Sequence, residues 1–191
     1  MLPCEFTDDR GTPGEGVSEG DEEAVNEHQQ WPALDHQHVK GTLQHLHRLS
    51  QIAGKYTLTD LFEPGWGSIV LDVTARGLRT PTLRQHGTTF EVHYRLHDGD
   101  VIIETESGSR TLQLRSRSVA EFFVEFGEAC DALAMPSPGS PLACEIPDGV
   151  RLDLDTEHRE WDPVAAKDIW AALNRACMTW SAPGDRWWSL R

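Results

Sequence analysis

The sequence has no excess of basic residues: its 191 residues include 17 Lys and Arg against 31 Asp and Glu, a formal net charge of −14. Nucleic-acid binding depends on cationic side chains that neutralise phosphates, so this balance argues against DNA or RNA as a partner. The sequence also has no uncharged apolar run of about 18 residues and no basic N-terminus followed by an apolar stretch. We therefore predict a cytoplasmic protein with neither nucleic acid nor membrane as a partner.

Cysteine is scarce as well, with four residues at scattered positions and no Cys-x-x-Cys pair. No histidine stands near them at zinc-ligand spacing, and the common phosphate-loop, nucleophile-elbow and metalloprotease motifs are absent. The sequence thus predicts no metal and no cofactor. Cys130 and Cys177 fall on the apolar faces of predicted helices, where a thiol acts as a small hydrophobic group.

The first 30 residues contain nine acidic side chains and a single arginine, with only scattered apolar residues. Such a segment buries too little surface to offset the entropy of ordering it. We predict a disordered acidic tail over residues 1–30 and a single domain over 31–191.

The domain is predicted to be α+β, a mostly antiparallel sheet meander with helices packed on one face. Strand-like runs lie at 56–61, 68–75, 88–96, 101–105 and 110–114, with a short edge strand at 143–146. The pair Asp98-Gly99 favours a two-residue hairpin loop, which would place Tyr94 opposite Ile103 and His93 opposite Glu104.

Three helices are predicted, and local signals mark their ends. The first covers 35–53 and is expected to stop at Gly54. The second covers 118–133 and begins with a capping box formed by Ser118 and Glu121. The third begins with an Asp162 cap before Pro163 and is expected to bury an apolar face. That face contains Ile169, Trp170, Leu173, Cys177 and Trp180.

His47, Gln51 and Lys55 follow one another at four-residue steps and form a polar stripe that runs off the end of the first helix. One interpretation is a solvated helix face. The other is one wall of a pocket, in which an imidazole able to transfer protons stands beside two hydrogen-bond donors.

Several short segments, among them Trp31-Pro-Ala-Leu34, Gly54-Lys55, Val73-Thr-Ala-Arg-Gly-Leu78 and Trp161-Asp162-Pro163, occur in a characteristic order. With this order the chain resembles, over roughly residues 31–180, the bacterial family called domain of unknown function 5996. The resemblance implies no activity, but it implies a polar site or buried network. The matching positions are His47, Gln51, Lys55, Arg76, Glu91 and His158.

Relatives in that family continue past the last helix, so the chain resembles a C-terminally truncated member. If that segment completes a pocket or adds strands to the sheet in the relatives, this chain exposes the apolar surface that the segment would cover. Either the chain's own Trp180, Trp187 and Trp188 cover it, or a second copy covers it in a homodimer.

The function that this reasoning favours is a binding or interaction module, and a small anionic molecule is one partner that we consider. The alternative is an enzyme that performs acid/base chemistry on a small polar or anionic molecule. In that case His47 or His158 transfers protons, while Lys55 and Arg76 bind the anion. Lys55 and Arg76 are then expected to lie close together, with Glu91 or a bound anion between them.

We predict that deleting residues 1–28 leaves the melting temperature nearly unchanged, because a disordered tail contributes no packing. Thermal denaturation of the shortened chain beside the full one measures this. A loss of several degrees, which corresponds to about 1 kcal/mol or more for a domain of this size, would show that the tail packs on the domain.

Overall fold

The computed structural model describes residues 31–58, 70–144, 146–147 and 149–180, except for the side chain of Trp180. The predicted acidic tail, residues 59–61 of the first predicted strand and Trp187 and Trp188 lie outside these ranges. The elements are α1 (His36–Thr57), β1 (Asp72–Thr74), β2 (Gly77–Arg79), β3 (Leu83–Gln85), β4 (Thr88–Arg95), β5 (Asp100–Thr105), β6 (Gly108–Gln113), α2 (Val119–Ala132) and α3 (Pro163–Trp180). None of the helices in the described ranges is long and apolar enough to cross a bilayer.

The strands form one antiparallel sheet in the order β1-β2-β4-β5-β6, and β3 also pairs with β4. The short strands β2 and β3 lie one after the other along the same edge of β4. Thr80 joins them, because its amide donates to the Val92 carbonyl and its hydroxyl accepts from the Val92 amide, both at 3.0 Å. The α+β class with a mostly antiparallel sheet is confirmed.

One face of the sheet forms the core together with the three helices. Its alternate residues are buried, as strand periodicity requires, while their neighbours carry the charged side chains of the other face. The buried strand residues include Leu78, Phe90, Val92, Tyr94, Val101, Ile103 and Leu112, and the helices add Leu49, Ile52, Phe122, Phe126, Ala165 and Ile169. The Tyr94 hydroxyl donates to the Leu49 carbonyl at 3.2 Å and fixes the sheet to α1.

The first helix does not stop at Gly54; it continues to Thr57, and the predicted strand at 56–61 is wrong at its start. Tyr56 is 1% exposed, its ring packs edge-on to Phe90, and its hydroxyl donates to the Pro136 carbonyl at 2.6 Å. A glycine inside a helix costs about 1 kcal/mol, whereas burying a large apolar side chain contributes about 1.5–3 kcal/mol. The burial of Tyr56 therefore outweighs the local stop signal.

The predicted hairpin between β4 and β5 forms, but its register is wrong by two residues. Tyr94 pairs with Val101 and Arg95 with Asp100, so the loop has four residues, Leu96 to Gly99. Leu96 is buried outside the ladder, and the Asp98 carboxylate accepts hydrogen bonds from the guanidinium groups of both Arg95 and Arg76. Because the shift is an even number, every side chain keeps its predicted face.

Two further strand predictions need correction. Within the described part of the run at 68–75, which begins at residue 70, the strand is the three residues of β1. The three-residue strands β2 and β3 were not predicted. The predicted edge strand at 143–146 does not form at Ala143, Cys144 or Ile146, which lie in irregular chain; Glu145 is outside the described residues.

The helix caps are confirmed. Ser118 and Glu121 form the reciprocal capping box of α2, and the Asp162 carboxylate accepts from the Val164 amide at 2.7 Å at the start of α3. The buried face of α3 is shorter than predicted, since Ile169 is 5% exposed but Leu173 is 37% exposed. Cys177 is exposed as well.

We predict that Phe126→Ala lowers the free energy of unfolding by about 3–5 kcal/mol, because it removes a fully buried ring and leaves a cavity. Leu173→Ala is the matched control at a partly exposed helix position, and it should cost about 1 kcal/mol or less. Urea denaturation of both variants measures the difference. Equal losses would contradict the core described here.

Candidate functional site

A cavity of about 250 Å³ lies beside the C-terminal half of α1. The helix contributes His47, Gln51 and Lys55, which stand at positions i, i+4 and i+8 and so share one face. The sheet side contributes Leu71 and Thr80. The remaining lining residues are Ser50, Gly54, Thr57, Leu58 and Cys144. The structure thus brings three of the six predicted site residues together.

Lys55 is the most unusual residue of this cavity, because it carries a charge at 4% exposure. Its Nζ donates to Cys144 Sγ at 3.2 Å. Among the described residues no carboxylate lies within 4.0 Å of this ammonium. Since an ammonium has three N–H donors, two of them are directed away from the thiol and have no acceptor in the described part of the chain.

Gln51 holds the chain segment that closes the cavity. Its Nε2 donates to the Cys144 carbonyl at 2.6 Å, and its Oε1 accepts from the Cys144 amide at 2.8 Å. This pair of bonds imitates one step of a β-ladder, so the backbone of Cys144 is satisfied without a strand partner. Gln51 is therefore bound to backbone, and it fixes the position of Cys144 relative to Lys55.

His47 is exposed at the rim of the same cavity. Its Nε2 lies 3.4 Å from Gln51 Nε2. The Gln51 amide nitrogen can only donate, so the contact is a hydrogen bond when the facing ring nitrogen of His47 carries no proton. The imidazole is thus oriented by the same amide that holds Cys144.

The other three predicted site residues are not among the residues that line this cavity. Arg76 lies in the turn between β1 and β2, where its Nε donates to the Asp98 carboxylate at 2.7 Å. This pairing with Arg76 holds the pKa of Asp98 well below its ordinary value. His158 is exposed in the segment before α3.

Glu91 lies on the polar face of the sheet and accepts from the Thr82 hydroxyl at 2.5 Å. Its carboxylate is 3.3 Å from His93, whose ring is also 3.8 Å from Glu104. His93 thus lies between two carboxylates as part of a charged sheet surface, at a distance from the cavity lining.

Cys144 belongs to the site but was not predicted. Its contacts with Gln51 and Lys55 join residues 93 and 89 positions apart, and no local motif marks such a pair. The predicted polar stripe identified the helix side of the cavity; the residue facing it carries no signal of its own in a single sequence.

A second cavity, of about 300 Å³, lies next to the segment before α3. Its charged lining residues compensate one another: Asp155 is 3.5 Å from Arg48 and 2.9 Å from Arg159, and Arg159 also bonds Glu157 at 2.7 Å. Because these charges are already paired, this cavity offers less to a ligand than the one around Lys55.

His45 is a second ionisable residue of α1 that lies inside the protein. It is not among the residues that line the cavity around Lys55. It is 0% exposed and its ring meets Trp161 edge-on. Removal from water, with the nearby Arg159 cation as a second cause, lowers its pKa to about 4. His45 is therefore neutral near pH 7.

The family model of DUF5996, a family of unknown function, matches residues 31–181. The chain belongs to this family. No curated protein and no solved structure matches the DUF5996 chain. The family description names no ligand and no reaction, so the function of this DUF5996 chain has to be argued from the geometry of its own residues.

The lowered pKa of His45 predicts a loss of stability in acid. Between about pH 6.5 and 4 the unfolded chain binds a proton at this position that the folded chain does not, so the free energy of unfolding falls as the pH falls. The full effect is about 3 kcal/mol. Urea denaturation between pH 7 and 4.5 measures it, and His45→Leu should flatten the curve there.

The control for this prediction is His158→Leu, which changes an exposed histidine and should leave the pH dependence as it is. A His45→Leu chain with the pH dependence of the unchanged protein would show that other groups cause the loss.

Proposed function

We propose that this protein binds a small anionic molecule in the cavity beside α1 and that Lys55 is the group that holds the anion. The observation that carries the proposal is the buried ammonium with unused donors. Burying an unpaired charge costs several kcal/mol, so a buried ammonium needs a negative partner. A carboxylate or phosphate oxygen on a bound molecule would supply it.

The size of the cavity limits the ligand. Ligand pockets for drug-sized molecules span about 300–1,000 Å³, so about 250 Å³ suits a smaller compound. Leu58 and Leu71 give the lining an apolar part, and His47 at the rim gives it a second polar group. This combination favours a short organic anion or a phosphate-bearing fragment.

The hydroxyl groups of the lining contribute less. Thr57 Oγ1 donates to the Gly54 carbonyl at 2.7 Å, and Ser50 Oγ donates to the His47 carbonyl at 3.0 Å. These bonds use the hydroxyl protons of Thr57 and Ser50, whereas the Lys55 ammonium has two N–H donors without an acceptor in the described part of the chain. The net charge of −14 repels anions in general, so binding at this cavity would depend on the local ammonium.

Arg76 is bound to Asp98 and does not line the cavity, and Lys55 is the one Lys or Arg among the described lining residues. The proposed site therefore uses Lys55 without Arg76, and it retains His47 as the candidate for proton transfer. His158 and Glu91 have no part in it, since neither lines the cavity.

We predict that inorganic phosphate or succinate raises the melting temperature relative to sodium chloride of equal ionic strength. At ten times the dissociation constant a ligand adds about 1.4 kcal/mol to the free energy of unfolding, which is about 3–5 °C for a chain of this length. Lys55→Met, which keeps the length of the side chain and removes its charge, should abolish the shift.

Two control variants make the test specific. Lys40→Met removes an exposed ammonium from the same helix, and Arg76→Ala removes the cation bound to Asp98; both should keep the shift. A shift that survives in Lys55→Met, or its absence in the unchanged protein with both anions, would contradict the proposal.

A further inference from the structure

We infer that Cys144 is a nucleophile, and that it forms a covalent bond to an electrophilic carbon of an anionic compound bound in the cavity beside α1. The choice of an anionic compound rests on the proposed function. The nucleophilic character of the thiol rests on its own contacts and stands independently of it.

The first observation is the position of the Lys55 ammonium, 3.2 Å from Cys144 Sγ and 4% exposed. Among the described residues Sγ is the acceptor that this buried cation has. At this distance the ammonium stabilises the negative charge that the sulfur carries when it attacks an electrophile. The thiolate is the nucleophilic form of cysteine.

The second observation is access. Cys144 is exposed, and its side chain lines the cavity, so a small molecule reaches Sγ without displacing the core. The residue is also held in place, because both its backbone amide and its carbonyl are bound by the Gln51 side chain. Its other sulfur contact is long, because Sγ donates to the Leu142 carbonyl oxygen at 3.8 Å.

The other described cysteines lack this combination. Cys130 is buried beside the Tyr56 hydroxyl, and burial raises the pKa of its thiol to about 11. Cys177 is exposed near the end of α3, and no hydrogen-bond partner of its thiol occurs in the described part of the chain. The protein therefore contains its own control thiols, one inaccessible and one accessible but without a cation.

The reaction is a displacement. Sγ of the thiolate donates an electron pair to the electrophilic carbon and forms an S–C bond, while the bond from that carbon to its leaving group breaks and the leaving group keeps its electron pair. Where the leaving group requires a proton, the Lys55 ammonium supplies it and becomes a neutral amine. The negative charge of the thiolate is used up in the S–C bond. Lys55 then regains a proton from solvent, so that its ammonium again pairs with the anionic group of the bound compound.

The experiment compares alkylation of the full chain at pH 7 by iodoacetamide, which is neutral, and by iodoacetate, which carries a carboxylate. Peptide mass spectrometry follows Cys144 and Cys177 separately in the same sample. With iodoacetamide we expect Cys144 to react at least tenfold faster than Cys177. In Lys55→Met the rate at Cys144 should fall to that of Cys177, while Lys40→Met should change neither rate.

The iodoacetamide rates at Cys144 and Cys177 in the unchanged protein already test the inference. The test therefore does not depend on whether Lys55→Met folds. Equal iodoacetamide rates at Cys144 and Cys177, or a slower rate at Cys144, would overturn the inference. A fast rate that persists in folded Lys55→Met would overturn the role of the ammonium.

The ratio of the iodoacetate rate to the iodoacetamide rate separates this inference from the proposed function. A higher ratio at Cys144 than at Cys177 supports the anionic class of substrate. A fast iodoacetamide reaction without this preference supports the nucleophile and overturns the anionic substrate. A slow reaction at Cys144 together with an anion-dependent rise in melting temperature would overturn the nucleophile and leave the anion site supported.

Discussion

Burial of Tyr56 in the last turn of α1 is the constraint on which the cavity depends. The ring packs against Phe90 of β4, and the hydroxyl donates to the Pro136 carbonyl beyond α2. To place this ring in the core, the helix has to continue through Gly54. Lys55, the residue before Tyr56, is then carried into the protein on the neighbouring face, where it meets Cys144 instead of water.

The charges elsewhere in the structure make the position of Lys55 distinctive. Arginines near the sheet and the segment before α3 are bound to carboxylates, as Arg76 is to Asp98 and Arg159 to Asp155. Arg117, 1% exposed, is held by Glu125, by the Gln113 carbonyl and by the face of the Phe122 ring. Of the two cationic side chains that are buried among the described residues, Arg117 thus has a carboxylate partner and Lys55 has none. The anion that we propose as ligand would supply that partner.

Gln51 connects the fold to the chemistry. A segment that the sequence pattern assigns to an edge strand is bound instead to a side chain of α1, by the same donor and acceptor geometry that a neighbouring strand would provide. Cys144 is therefore bound to α1 and not, as the sequence pattern predicts, to the edge of the sheet. The three residues of the polar stripe of α1 differ in their surroundings: Gln51 holds the Cys144 backbone, Lys55 is buried, and His47 lies exposed at the rim of the cavity.

The sequence by itself determined what depends on neighbours along the chain. The caps at Ser118 and Asp162, the alternation of β4 and β5 and the four-residue spacing of His47, Gln51 and Lys55 follow from local hydrogen bonds and periodicity, and the structure has all of them. The family resemblance rested on short motifs in order, and the family match agrees with it.

Tertiary structure decided the rest. Leu173 and Cys177 carry the right spacing for a buried face, but burial depends on whether another element lies opposite, and both are exposed. The loop of four residues after β4 depends on Arg76, which comes from a different turn. The pair of Lys55 and Cys144 depends on two segments 89 residues apart. Contacts of this kind are set by the packing of whole elements, and periodicity along the chain contains no information about them.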